Sequence, residues 1–215
     1  MDQWLFHLIN EQWTHPVLDL FMAAVSDVEI WKPLLFGLAI YAVVSMGFKG
    51  RAFVVCLLIT LVFSDQFLVR TLKSAVDRKR PKQSQPVRMV QLERTQPAFL
   101  TLFRKPTIRT SDQTDHNKSG PSFPSGHVTD NVIIGTMCVL FFRRWGWLYF
   151  FVAASVAYSR IYLGAHWPSD VVGTAFMAAG VALLMMALLE SLWKAFGRRW
   201  APELFAGHPR LIDQS

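Results

Sequence analysis

An all-α, polytopic membrane helix bundle of five or six transmembrane helices, preceded by an N-terminal amphipathic helix, is the fold this sequence predicts. Three observations point to it. Apolar residues make up 52% of the 215 residues and charged residues only 17%, against about 25% charged in soluble domains. Seventeen Phe and eight Trp add to that apolar weight. Finally, five apolar runs approach the roughly 20 residues needed to cross a bilayer.

In chain order, residues 1–30 form an interfacial segment. Trp4, Leu5, Leu8, Ile9 and Gln12 follow one helical period, and Leu18, Phe21, Met22 and Val25 follow another, with a turn at His15-Pro16 between them. The segment is acidic, with Asp2, Glu11, Asp19, Asp27 and Glu29 and no Lys or Arg. A sixth span, if present, lies here. Residues 31–190 form the transmembrane core, with spans expected over 31–48, 52–72, 127–142, 146–163 and 169–189. Only the last contains a clean uncharged run. Between the second and third spans, residues 77–121 are rich in Gln, Thr, Ser, Pro, Lys and Arg and lack sustained periodicity, as expected of a functional lid or an unstructured loop. Residues 191–215 form a tail in which Trp193, Phe196 and Trp200 beside Lys194 and Arg198 read as an interface anchor.

Short-loop charges set the orientation. Lys49 and Arg51, Arg143 and Arg144, and Lys194, Arg198 and Arg199 fall on one face when the spans alternate. Positive short loops mark the cytoplasmic side, so the tail is cytoplasmic and residues 77–121 lie outside. The formal net charge is +7, which suits anionic headgroups or a phosphate-bearing substrate. The aromatic residues sit in apolar runs and are not interleaved with the basic ones, which argues against a nucleic-acid partner. Cys56 and Cys138 both fall inside apolar runs and read as small core residues, not a disulfide framework.

Ionisable residues intrude on these spans at one end only. Asp65, Arg70 and Lys73 close the second span, His127 and Asp130 open the third, Arg160 nears the end of the fourth, and His166 and Asp170 lie before the fifth. Charges at membrane depth are costly, so their default reading is functional. Lys73 and Arg80 are seven positions apart, nearly two helical turns, which would project both to one side of a helix. A basic stretch meeting anionic headgroups fits the same residues. Pro124-Ser125-Gly126-His127 enters a helix whose N-terminus offers free N–H groups to an anion, with the Ser125 hydroxyl as a further donor and Gly126 allowing close backbone approach. A plain turn with a serine cap is the alternative. Asp170 follows His166 by four, a spacing that can bring its carboxylate to one imidazole nitrogen and leave the other free as a nucleophile. Helix capping by Asp170 is the alternative there.

Together, Lys73-x6-Arg80-Pro81, Pro124-Ser125-Gly126-His127 and Ser159-Arg160-x5-His166-x3-Asp170 resemble, without departure, the three-part signature of the type 2 phosphatidic acid phosphatase superfamily. The resemblance covers about residues 31–189. It implies a lipid phosphatase in which His166 attacks phosphorus, Asp170 orients His166, and His127 protonates the leaving oxygen and then activates water. It further implies that Lys73, Arg80 and Arg160 hold the phosphate oxygens with Ser125 and the Gly126 N–H. No cofactor or metal is called for, because the cations supply the charge stabilisation that phosphoryl transfer needs. Asp65 and Asp130 are expected to support the cations. His7, His15, His116 and His208 are expected to be solvated. The substrate would be a phosphorylated membrane lipid, with undecaprenyl diphosphate favoured by likeness to small bacterial members. Phosphatidate, phosphatidylglycerol phosphate, lipid A and lipid phosphotransfer are the alternatives. The implied location is a bacterial inner membrane with the site facing the periplasm. Vanadium-dependent haloperoxidases resemble the same constellation, but they are soluble, and five apolar runs argue against them.

Overall fold

The chain begins with two short helices that fold against the bundle. In the computed structural model, which describes residues 1–117 and 120–212, α1 (Asp2–His7) runs on through a π turn to Gln12. The His15 ring then accepts a hydrogen bond from the Val17 N–H and caps α2 (Pro16–Ser26), with Pro16 at its first position. At 11 residues α2 is too short to cross a bilayer, so no sixth span forms among the described residues. The two helices are more than interfacial: Phe6, Ile9, Met22 and Ala23 join the buried apolar cluster of the bundle.

α3 (Val28–Ser45) and α4 (Gly47–Phe63) form the first hairpin. Leu34, Phe36, Leu38, Ile40, Tyr41 and Val44 of α3 are all exposed, an arrangement tolerable only where lipid is the solvent. α4 continues through a π turn (Ser64–Val69) into α5 (Arg70–Val76). α8 (Gly126–Phe142) is the central helix: Val128, Ile133, Met137 and Phe141 are fully buried along one stripe. It lies against α10 (Pro168–Leu192), whose Ala178 and Ala182 are also fully buried, small residues that let the backbones approach. A 3-10 turn (Arg143–Leu148) folds α9 (Tyr149–Tyr162) back onto α8. Gly146 makes this turn possible, because a Cβ there would stand 2.2 Å from the Cys138 carbonyl. After α10 the helix runs on through Trp193–Gly197 and α11 (Arg198–Trp200) to the short α12 (Pro202–Gly207).

Four continuous helical stretches are long and apolar enough to span: Val28–Ser45, Gly47–Ser84, Gly126–Tyr162 and Pro168–Trp200. The third contains both the third and fourth expected spans, joined without a helical break and folded on themselves. The fold is therefore the expected helical membrane bundle, and the chain is a multi-pass membrane protein.

Residues 77–121 are more structured than their composition suggests. They hold α6 (Pro81–Ser84), a two-stranded antiparallel ribbon of β1 (Arg88–Gln91) and β2 (Thr107–Thr110), a 3-10 turn (Ala98–Phe103) and α7 (Gln113–Asn117). In the ribbon Arg88 pairs with Thr110 and Gln91 with Thr107. The N-terminal helices hold it down. Asn10 is fully buried; its Oδ1 accepts from the Arg88 N–H, and its Nδ2 donates to the carbonyls of Arg88 and Tyr162. Asp19 accepts two hydrogen bonds from Arg88 Nη2, at 2.8 and 2.7 Å, and one from the Tyr162 hydroxyl at 2.6 Å. The periodicity was lost in sequence because side chains of another segment hold these residues.

Cys56 is buried, Cys138 half-buried, and both are free thiols, as expected of small core residues. Of the solvated histidines, His7 pairs with Glu11 at 2.9 Å, His15 is the cap already described, and His208 stacks on Phe48 at 4.2 Å. The side chain of His116 lies outside the described residues, as do 118–119 within the loop and 213–215 of the tail.

Candidate active site

The site gathers where four chain segments end. α5 stops at Asp77, which takes the left-handed conformation (φ 42°). Residue 80 is then held extended (φ −72°, ψ 158°), as expected for a residue before proline. Lys73 and Arg80 therefore do not share a helix face, contrary to the helical-spacing expectation. The left-handed turn and Pro81 end the helix between them, yet the folded-back chain still brings their charges within range of each other. Two backbone ties fix this segment: the Ser122 N–H donates to the Arg78 carbonyl at 2.6 Å, and the Trp167 indole donates to the Lys79 carbonyl at 2.9 Å.

The second segment enters α8. Ser125 is its N-cap and Gly126 its first residue. The Ser125 N–H donates to Thr174 Oγ1 at 3.1 Å. Its hydroxyl is buried with no partner among the described residues. A Cβ added at Gly126 would meet nothing within 4 Å, so open space lies on that side of the helix start. His127 follows, its ring close to the Ser26 main chain at the end of α2.

The third segment links α9 to α10. The Arg160 carbonyl accepts from both the Ala165 and His166 N–H groups, at 3.0 and 3.1 Å. This tight reversal needs Gly164 at φ +70°, where a Cβ would also press to 2.9 Å from Val87. The five-residue spacer therefore acts as a fixed elbow that brings Arg160 back beside His166. Arg160 Nη1 donates to Ser26 Oγ, and its Nε is buried without a partner among the described residues. His166 is 2% exposed. Burial, with the Arg80 and Arg160 guanidiniums nearby, holds its imidazole well below the ordinary histidine value. Its Nδ1 lies 3.5 Å from Ser122 Oγ. An Nδ1–H directed at Ser122 leaves the Nε2 lone pair free.

Asp170 is fully buried, with no hydrogen bond to His166. Its Oδ2 accepts from Ser122 Oγ at 2.5 Å and from the Trp167 N–H at 3.1 Å, while its Oδ1 accepts from Arg78 Nη1 at 2.6 Å. The second contact is the helix cap that formed the alternative reading of Asp170. The capping reading therefore holds, whereas the expected direct approach to the imidazole does not: Ser122 Oγ stands between the carboxylate and His166 Nδ1.

The expected groups thus converge. His127 senses the charges of Arg160, Arg80 and Lys73, and Lys73 those of Asp65 and Asp130. Among the described residues none of Lys73, Arg80 and Arg160 forms an ion pair, whereas Arg78, Arg88 and Arg109 all do. Arg80 instead donates from Nε to the Gly120 carbonyl at 2.9 Å. Three cations without ion pairs among the described residues, an unpartnered buried hydroxyl and a helix N-terminus are groups with the chemistry to hold a multiply charged oxyanion. A cavity of about 570 Å³ opens onto His127 and Arg160, walled by Ser26, Asp27, Gln91 and Arg94. A second cavity of about 620 Å³, apolar and lined by Cys56, Ile59 and Trp193, lies at the other end of α4 and includes none of these groups. Among the described residues no three His, Cys, Asp or Glu side chains are grouped to hold a metal ion.

Sequence reading missed Arg78, Ser122, Ser26, Thr174 and Asp2. Arg78 carried a faint signal, as a further cation two residues before Arg80 in the basic run 78–80. The others gave none, since their roles depend on contacts between distant segments.

The PAP2 superfamily model matches residues 53–194. The lipid A 4'-phosphatase of Bacteroides thetaiotaomicron is 26% identical over 167 residues, 75% of this chain and 65% of that protein. The undecaprenyl-diphosphatase of Sulfolobus acidocaldarius is 34% identical over 71 residues, 31% of this chain and 33% of that protein. The chain thus spans less than two thirds of the length of either relative. Among solved structures, Aquifex aeolicus LpxE superposes with a TM-score of 0.56 at 22% identity, covering 86% of this chain and 94% of that one. At that identity the likeness speaks for the fold.

Proposed function

The chain belongs to the PAP2 superfamily, and from that premise we propose that it is a membrane lipid phosphatase working through a phosphohistidine at His166. The observation that carries this reading is the convergence of Lys73, Arg80 and Arg160, none in an ion pair among the described residues, on His127 and the buried His166 beside it. His166 Nε2 attacks phosphorus, the N–P bond forms, and the P–O bond to the lipid breaks in line. His127 gives its proton to the departing oxygen. Water then attacks the phosphohistidine, His127 takes its proton, and the P–N bond breaks to release phosphate. Lys73, Arg80, Arg160, the Ser125 hydroxyl and the Gly126 N–H hold the charge on the transferring group, where preorganised donors contribute most.

The basic short loops lie at the end of the bundle opposite this site, which supports a site facing the periplasm and a cytoplasmic tail. The proposed substrate is undecaprenyl diphosphate, whose leaving group is a phosphate monoester that needs little protonation. Lipid A is the second reading, supported by the alignment to a lipid A 4'-phosphatase over 75% of the chain.

Purified protein in detergent with excess chelator, offered undecaprenyl diphosphate, lipid A, phosphatidate and phosphatidylglycerol phosphate, is expected to release phosphate fastest from the first. Faster release from lipid A would select the second reading. Activity that vanished with chelator and returned with a divalent cation would overturn the charge-stabilisation account.

A further inference from the structure

Asp170 has a charged partner besides Ser122 and the Trp167 N–H. Arg78 Nη1 donates to Asp170 Oδ1 at 2.6 Å and to Ser169 Oγ at 2.8 Å, and Arg78 Nη2 donates to Asp2 Oδ2 at 2.6 Å. Asp2 in turn accepts from the Ser169 N–H at 2.9 Å and the Ser169 hydroxyl at 2.5 Å. We propose that Arg78 is a positioning residue that clamps the Asp170 carboxylate against Asp2 of the first helix, so that Asp170 acts on His166 through Ser122. The proposal rests on the phosphatase reading of His166 given above.

Three features distinguish Arg78 from the phosphate-binding cations. Both ends of its guanidinium are taken by carboxylates, whereas Lys73, Arg80 and Arg160 have no such partner among the described residues. Its backbone is tied directly to the serine in question, through the 2.6 Å bond from the Ser122 N–H. It is also the nearest countercharge to a fully buried Asp170. Without it that carboxylate would face Arg80, whose charge already senses Asp170, and would draw Arg80 away from substrate. Arg78 therefore keeps Asp170 oriented and Arg80 free. The groups that face His166 are Arg80, Arg160, His127 and, through Ser122, Asp170.

The experiment compares Arg78→Gln, Arg78→Lys and Asp2→Asn with wild type by two readouts. One is kcat and KM on undecaprenyl diphosphate and on lipid A. The other is titration of His166 by NMR with labelled histidine in detergent. Arg78→Gln is expected to lower kcat by about tenfold or more, the scale seen when a partner orienting a functional histidine is lost. KM stays unchanged and His166 titrates at higher pH, since the Asp170 charge is then uncompensated. Arg78→Lys restores part of kcat. A raised KM with unchanged kcat would make Arg78 a substrate contact and overturn the proposal, as would an unmoved His166 titration. Should Arg78→Gln fail to fold, Asp2→Asn decides: a lowered kcat with KM unchanged supports the clamp, and wild-type kcat and titration refute it. A wild type that hydrolyses neither lipid would sink the functional reading, while the His166 titration would still decide the role of Arg78.

Discussion

Replacement of His166 by alanine is expected to lower phosphate release by at least about 10³-fold, the scale of losing the nucleophile in an enzyme that uses covalent catalysis. The imidazole is buried under the charges of Arg80 and Arg160. The fold should persist, because His166 is held by a loop whose shape comes from the Arg160 carbonyl and Gly164 rather than from the ring itself. The same residue sets a pH expectation. Burial and the neighbouring guanidiniums hold its pKa well below 6.5, so the neutral, nucleophilic form persists as pH falls through that value and is lost only below it. The acid limb of kcat/KM that reports His166 should therefore lie below pH 6.5. A fall centred at the ordinary histidine value and tied to His166 would mean that the ring is solvated. Retention of most activity in the alanine variant would remove His166 from the chemistry.

The second large effect is structural. Asp19 is 1% exposed and holds both Arg88 and the Tyr162 hydroxyl. Asp19→Ala would leave the Arg88 charge buried without a partner, a change that typically costs about 3–5 kcal/mol. For a chain of this length that corresponds to a fall of about 10 °C in melting temperature. Activity should fall as well, because Tyr162 lies two residues beyond Arg160 on α9 and Arg88 begins the ribbon beside the cavity. Thermal melting in detergent, with turnover measured below the transition, checks both. A variant that melts and turns over like wild type would show that the N-terminal helices do not brace the site.

Sequence reading succeeded where the physics was local. Apolar runs located the helices to within a few residues, since lipid-facing helices such as α3 must be apolar nearly throughout. His15-Pro16 marked a real break because proline and a side-chain cap act on their own neighbours. The site motifs were legible because each reactive group lies at a helix end, where a charge interrupts a greasy run. The reading failed where structure arises between segments. The ribbon at 88–91 and 107–110 has no sequence period because Asn10 and Asp19 order it. The Lys73 to Arg80 spacing suggested one helix because a left-handed Asp77 cannot be read from spacing. The direct Asp170 to His166 contact expected from their separation is replaced by Ser122, which lies 44 residues before His166 and was hidden among prolines and aromatics.

The central claim is that phosphate passes through His166, and trapping the intermediate tests it most directly. Undecaprenyl diphosphate labelled in its terminal phosphate would be mixed with wild type and with His127→Ala, quenched in alkali and mapped by peptide. The account predicts label on the His166 peptide, stable to base and labile to acid, and a larger burst in His127→Ala, because the residue that activates water is gone. Turnover with no label on that peptide, or label on another residue, would contradict it.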